Sequence, residues 1–324
     1  MTPDPIYRIL GCLRGLANGD AIGKQAENLS PDDIRRWYPD GIRGFEGVAG
    51  SILPRYAANR KRRWRVGETT DDTERTIAVA RAILQDGDVR HASVGRELLT
   101  CEKCVHPGIA SLWEFHQAAD PARVTQRHDG CGAAIRVAPV GILYRSHRLE
   151  ELVTGAREAS ISTHGGSLAI AGAAATAAAV SAAVDGAPPA AIIDLAERAA
   201  ARAESRWPGS PGYSLAGAVR DIWQEASRWR HPTPQIVAAH WYPNNPLTIV
   251  PLAVALGALM PSADDAALLA ANVGGDSDSV ASIAGAILGA RAPDGVSDEW
   301  SAAVERVNGH DLRSLAQSLA GLRS

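Results

Sequence analysis

Apolar residues recur at helical spacing along most of the chain. In "IYRILGCLRGLANGD", Ile6, Ile9, Leu10, Leu13 and Leu16 fall on one face, which predicts a first helix that breaks at Gly19. "DDTERTIAVARAIL" opens with carboxylates and continues through Ile77, Ala80, Ile83 and Leu84, predicting another. The same spacing predicts helices over 168–184, 190–205, 214–229, 247–259, 263–272 and 279–290. No stretch alternates apolar and polar residues over a full strand length, and there is no strand–helix–strand rhythm. The expected fold is all-α. Pro and Gly clusters predict loops at 39–56, 205–213, 230–246 and 291–298. None has the composition of a domain linker, so residues 1–324 are expected to form a single compact multi-helix domain.

Composition refines this picture. Ala is abundant and only two Phe occur, which points to closely packed helices: small side chains let backbones approach, and Ala is the best helix former. A formal net charge of −3 gives no global reason to expect nucleic-acid or acidic-membrane binding. The N-terminus carries Pro and Asp where a secretion signal would be basic, and it lacks a long apolar run. Residues 168–184 are the strongest membrane candidate, but they are Ala-dominated and slightly short, and read better as a buried core helix. A cytoplasmic monomer with no membrane partner is the expectation. Cys101 and Cys104 form a C-x-x-C near His106 and His116, with no second pair at zinc-finger spacing. A reduced pair on consecutive helical turns is expected, with a zinc site as the alternative.

Two segments carry more acid than a helix start requires. "GETTDDTER" (67–75) puts Thr70, Asp71, Asp72 and Thr73 before a helical pattern. "NVGGDSDSVASIAGAILGA" (272–290) puts Asp276, Ser277, Asp278 and Ser279 behind Gly274 and Gly275. Capping and the helix dipole explain one such residue each. A hard cation explains both clusters, because Mg²⁺ and Mn²⁺ prefer carboxylate, hydroxyl and water oxygens. Four clustered carboxylates repel one another unless cations neutralise them, and that count suits two ions bridged by a carboxylate. A third segment, "GLANGDAIGKQAE" (15–27), reads alone as a helix stop at Gly19, Asp20 and Gly23, followed by a solvated Glu27.

In this order and spacing, the three segments resemble the ADP-ribosylglycohydrolases, and the resemblance covers nearly the whole chain. That family includes the dinitrogenase reductase-activating glycohydrolase and the vertebrate ADP-ribosyl-acceptor hydrolases. The resemblance implies two divalent cations, Mg²⁺ or Mn²⁺. Thr70, Asp71 and Asp72 would be ligands from the first cluster, and Asp276, Asp278 and Ser279 from the second. Asp278 would bridge the ions, and Ser277 would be a spacer. Glu27 matches the family's mobile glutamate, a ligand or general base, so the implied catalytic set is Glu27, Asp72 and Asp278.

"DGCGAAIRVAPVG" (129–141) resembles the family's Gly-rich substrate loop. Cys131 replaces the usual Asn, while Gly130, Gly132, the small Ala133, Arg136 and Pro139 keep the pattern. Glycine N–H groups can approach phosphate oxygens closely, which suits a diphosphate. "STHGGSLAIAGA" (162–173) matches the family's Ser/Thr-His, making His164 a candidate for the ribose or adenine pocket, with a His that caps the following helix as the alternative. The substrate-contact set is therefore Gly130, Cys131, Gly132, Ala133, Arg136 and His164.

The function implied is metal-dependent hydrolysis of the anomeric N- or O-glycosidic bond of ADP-ribose conjugates. The partners would be an ADP-ribosylated protein or small molecule and the ADP-ribose product. A same-fold hydrolase of a free nucleoside or nucleotide glycoside is one alternative, and a non-catalytic ADP-ribose-binding or structural member another. "NRKRRWR" (59–65) is either a solvated loop or a device steering an anionic substrate. It is too short and isolated to argue for nucleic acid. The Trp-rich stretch from Ile222 to Asn245 is expected to pack or to cover a cleft.

Overall fold

Asp4 accepts the backbone N–H of Ile6 at 3.0 Å, and Pro5 has no N–H to leave unpaired, so helix α1 (Pro5–Gly23) starts there. The computed structural model describes residues 4–45, 64–210, 212–240 and 245–324. α1 runs through Gly19, where the sequence predicted a break. A 3₁₀ turn (Lys24–Ala26) leads to Glu27, and a capping box of Ser30 and Asp33 opens α2 (Pro31–Trp37). Helix α3 (Asp71–Asp86) begins on Thr70 and ends at a left-handed Gly87.

The chain continues through α4 (His91–Leu98), α5 (Ala110–Ala118), a 3₁₀ turn (Cys131–Arg136), α6 (Ala138–Leu143) and α7 (Leu149–Ser160). Then follow α8 (Ser167–Val184), α9 (Pro189–Arg206), α10 (Leu215–Ala226), α11 (Pro234–His240), α12 (Pro246–Leu259) and α13 (Ala263–Val273). Helix α14 (Ser277–Arg291), a 3₁₀ turn (Pro293–Gly295), α15 (Asp298–Asn308) and α16 (Leu312–Ala320) complete it. Among the described residues there is no strand, and the fold is all-α as the periodicity predicted.

α1 and α14 lie against each other at backbone contact. Gly11, Gly15, Gly19 and Gly23 recur every four residues, forming a bare ridge along α1. A Cβ on any of them would collide with the carbonyl of Gly289, Gly285, Ala281 or Ser277 in turn. Gly19 is therefore no helix stop: it stays helical because its missing side chain is the packing surface. Ser277, expected to be a spacer, donates its hydroxyl to the Gly23 carbonyl at 2.8 Å and joins the two helices. α8 packs against α6, α7, α9 and α12. It is long and apolar enough to cross a bilayer, but 89% of it is buried, so its apolar surface is matched by those neighbours.

Other expectations fail locally. α11 lies inside the predicted loop 230–246. Cys101 and Cys104 sit in the loop between α4 and α5 rather than on helical turns, and all four cysteines are free thiols. Arg60 to Arg63 and residues 46–56 fall outside the described residues. At the end of that run, Trp64 faces Lys24 at 4.8 Å and Lys103 at 5.6 Å, and Arg65 donates to the Val307 carbonyl at 2.7 Å. Of the Trp-rich stretch, Trp223 and Trp229 pack against the core.

Candidate active site

Two helix starts face each other across one cleft. Thr70 caps α3 by accepting the Asp72 N–H at 3.1 Å, which places Asp71 and Asp72 in the first turn. At the start of α14, Asp276 occupies the cap position but makes no side-chain cap bond. Its carboxylate instead accepts the thiol of Cys131 at 3.1 Å. Gly274 (φ 84°) and Gly275 (φ 66°) make the turn that aims it, a left-handed stretch that residues with a Cβ resist.

The same turn draws in Glu27. Asn28 N–H donates to Gly275 O at 2.7 Å, and Gly275 N–H donates to Leu29 O at 3.0 Å. These two main-chain bonds fix the segment after α1 against the start of α14. Asn28 Nδ2 then donates to Glu27 Oε1 at 3.0 Å, and Lys24 pairs with the other carboxylate oxygen. Ser282, one turn into α14, donates to Asp72 Oδ2 at 2.8 Å and ties the two acidic helices together.

A cavity of about 580 Å³ opens between these elements. Glu27, Asp71, Asp72, Asp276, Asp278 and Ser279 line its acidic side, and Gly130, Cys131, Gly132 and His164 line another. Ten of the sequence-predicted site residues thus meet on one wall system. Thr70, Ala133 and Arg136 do not reach it. Thr70 and Ala133 are buried behind the wall. Arg136 is fully buried and donates to the carbonyls of Gly132, Ala159 and Ser160 and to Thr163 Oγ1. It caps the C-terminal end of α7, where a cation suits the helix dipole. As a direct substrate contact it is corrected: its guanidinium is turned away into the core.

Their surroundings push these carboxyl groups in opposite directions. Burial pushes Asp72 well above the ordinary carboxylate range, and Asp20, Asp71 and Asp276 push it further. Burial likewise raises Asp278, against the pull of Lys24 and with the push of Asp72 and Asp276. Burial opposes ionisation of Asp71 too, but Arg75, the Cys104 thiol and Lys24 more than reverse it and hold it low. Burial and the Asp276 carboxylate raise Cys131 well above the usual thiol range, so it stays protonated and serves as a donor. Among the described residues no three His, Cys, Asp or Glu side chains converge as a ready-made ligand group. In this conformation Asp71, Asp72 and Asp276 are each engaged by a separate donor: Arg75, Ser282 and Cys131.

Asp20 was read as part of a helix stop, and its role was missed. It is fully buried and accepts the N–H groups of Thr70 (2.9 Å) and Thr73 (3.1 Å) and the hydroxyl of Thr73 (2.6 Å). It therefore caps α3 from another helix. Nothing in the local sequence distinguishes it from a turn aspartate, because its partners lie fifty residues away. Arg75 was also missed: it lines the cavity, buried, between Asp71 and the Lys103 carbonyl.

The fold is all-helical and gathers its acidic residues at one cleft, and family membership makes the chain a hydrolase of the glycohydrolase type. A sequence profile of the family described as ADP-ribosylglycohydrolase matches residues 1–324, and the chain belongs to that family. An uncharacterised protein, YegU, of Escherichia coli K12 is 29% identical over 98% of this chain and 97% of its own. An uncharacterised protein of Archaeoglobus fulgidus is 29% identical over 86% of each. The ADP-ribosyl-[dinitrogen reductase] glycohydrolase of Rhodospirillum rubrum is 26% identical over 43% of this chain and 46% of its own. Among solved structures, an ADP-ribosylglycohydrolase-related protein complex shares the fold, with a TM-score of 0.73 over 99% of both chains at 24% identity.

Proposed function

We propose that this protein hydrolyses the anomeric N- or O-glycosidic bond of ADP-ribose conjugates, on an ADP-ribosylated protein or small molecule, with two divalent cations, Mg²⁺ or Mn²⁺. The observation that carries this is the meeting of Glu27, the Asp71–Asp72 pair and the Asp276–Asp278 pair in one cavity, beside a Gly-rich loop, in a chain of this family. Its volume of about 580 Å³ lies in the range of small-ligand sites.

The donor chemistry fits hard cations, since carboxylate and hydroxyl oxygens line one side of the cavity, and Asp72 and Asp278, raised first by burial and then by neighbouring carboxylates, would be relieved by positive charge. Asp71, Asp72, Asp276, Asp278 and Ser279 would hold the ions, joined by Thr70 if its buried hydroxyl turns toward the cavity. Thr70 would have to offer its second lone pair, its first being taken by Asp72 N–H. When bound, such ions orient and polarise the oxygens of the sugar.

The chain's own residues supply the rest. Glu27 lines the acidic side, on the segment that Asn28 and Leu29 join to Gly275, and would take a proton from an attacking water. Gly130 and Gly132 leave space for phosphate oxygens to reach the backbone. Departure of the aglycone builds positive charge on the ribose, and the carboxylates around it favour that oxocarbenium character.

The test is turnover of arginine-, serine- and nucleobase-linked ADP-ribose with Mg²⁺ or Mn²⁺, in wild type and Asp278→Ala. Turnover lost in the variant and in EDTA is expected. Undiminished turnover in excess EDTA would overturn the metal mechanism, and hydrolysis of simple nucleosides alone would overturn the substrate class.

A further inference from the structure

Arg136 and Thr163 are buried behind the cavity, yet they contact a side chain that lines it. Thr163 Oγ1 accepts Arg136 Nη2 at 2.8 Å and lies 2.8 Å from His164 Nδ1. A guanidinium only donates, so one lone pair of the hydroxyl is already taken. Thr163 is fully buried, and among the described residues its hydroxyl hydrogen has one acceptor within reach, Nδ1 of His164. Were Nδ1 protonated, a buried O–H would be left without a partner, a costly arrangement. The imidazole proton therefore sits on Nε2.

Nε2 faces the Gly-rich turn. A Cβ built on Gly132 would lie 2.9 Å from it, and one on Gly130 3.6 Å, so these glycines keep the approach to that nitrogen open. No protein acceptor among the described residues meets it. Burial, reinforced by Arg136, Arg75 and His128, holds the ring neutral, so a second proton does not scramble the arrangement.

We propose that Arg136 and Thr163 are positioning residues that lock His164 in its Nε2–H form, giving the cavity a one-way donor that takes an acceptor oxygen of phosphate or carbonyl type. A ligand group presenting its own N–H or O–H there would meet donor against donor. The ligand part of this rests on the proposed ADP-ribose chemistry; the tautomer does not.

The experiment is ¹⁵N-histidine NMR of the full-length protein at neutral pH, with the ring signals of His164 assigned through His164→Gln. Expected is a protonated Nε2 and a bare Nδ1 in wild type. Thr163→Val should lose that pattern and bind ADP-ribose about fivefold to tenfold more weakly, the weight of one hydrogen bond. Thr163→Ser, which restores the hydroxyl, should recover both, a rescue that a purely structural role for the methyl group would not give. A protonated Nδ1 in wild type, or an unchanged tautomer in folded Thr163→Val, would overturn the proposal. If wild type shows the Nε2–H form but does not bind ADP-ribose, the functional reading fails and the tautomer lock stands.

Discussion

A methyl group on Gly15 would lie 2.2 Å from the carbonyl oxygen of Gly285, and one on Gly285 would lie 2.1 Å from that of Gly15, so neither residue has room for a side chain. The two helices that meet there also carry Asp20 and Asp278, so this contact sets the spacing of the acidic cleft. Gly15→Ala or Gly285→Ala should cost about 1–3 kcal/mol by overpacking, read as a lower urea midpoint at unchanged m-value. Gly217→Ala, in α10 with only ordinary contacts to Ser214, should instead stabilise by up to about 1 kcal/mol. Equal effects at the two kinds of site would argue against the ridge.

Asp20 makes a sharper case. Its three partners are all donors, so an amide in its place must turn an N–H toward an N–H or a hydroxyl. Asp20→Asn should cost roughly 2 kcal/mol, and hydrogen exchange should quicken at residues 70–73 before it does elsewhere. Unaltered protection of those amides in the variant would remove Asp20 from the site's scaffold.

For Asp278 the signs oppose. A carboxyl raised by burial and like charge stays protonated more readily when folded, so its contribution falls as pH rises above the ordinary carboxylate range. Asp278→Asn removes that penalty and should raise the melting temperature of the metal-free protein at neutral pH. It should also abolish the stabilisation by Mn²⁺ that the proposed two-cation site predicts for wild type, about 2.7 kcal/mol at a hundredfold excess over Kd. A calorimetric scan with and without Mn²⁺ reads both.

His310 gives a second pH test, with the opposite sign. Burial, with Lys103 and Arg81 adding, lowers its imidazole from 6.5 to about 4. The folded protein therefore keeps it neutral where the unfolded chain would protonate it. Its contribution is fully present above 6.5 and declines as pH falls from 6.5 toward about 4. His310→Gln should flatten the melting-temperature profile across that window; a profile parallel to wild type would assign the acid sensitivity elsewhere.

Much of the fold was legible because helix signals are local. α8, α9, α12, α13 and α14 fall within a few residues of their predicted spans, since periodicity, proline starts and Ser or Asp caps act within one or two turns. The acidic clusters were legible too, because each holds more carboxylate than a cap uses. The run through Gly19 was misread for a physical reason: glycine at a helix end and glycine at a helix crossing look alike until the partner helix is placed. The four-residue repeat of Gly11, Gly15, Gly19 and Gly23, against Ser277, Ala281, Gly285 and Gly289, was the available signal.

Arg136 shows the opposite error. It sits beside the Gly-rich turn in sequence, yet its guanidinium turns inward to the end of α7 and to Thr163. By itself the sequence determined the family, the helical class and which segments carry the acids, because those depend on composition and short-range order. Tertiary structure alone decided which side chains face the cavity, that Asp20 grips α3 and that Asp276 turns from cap to cleft. Those outcomes follow from donors and backbones that meet only after helices far apart in the chain have packed.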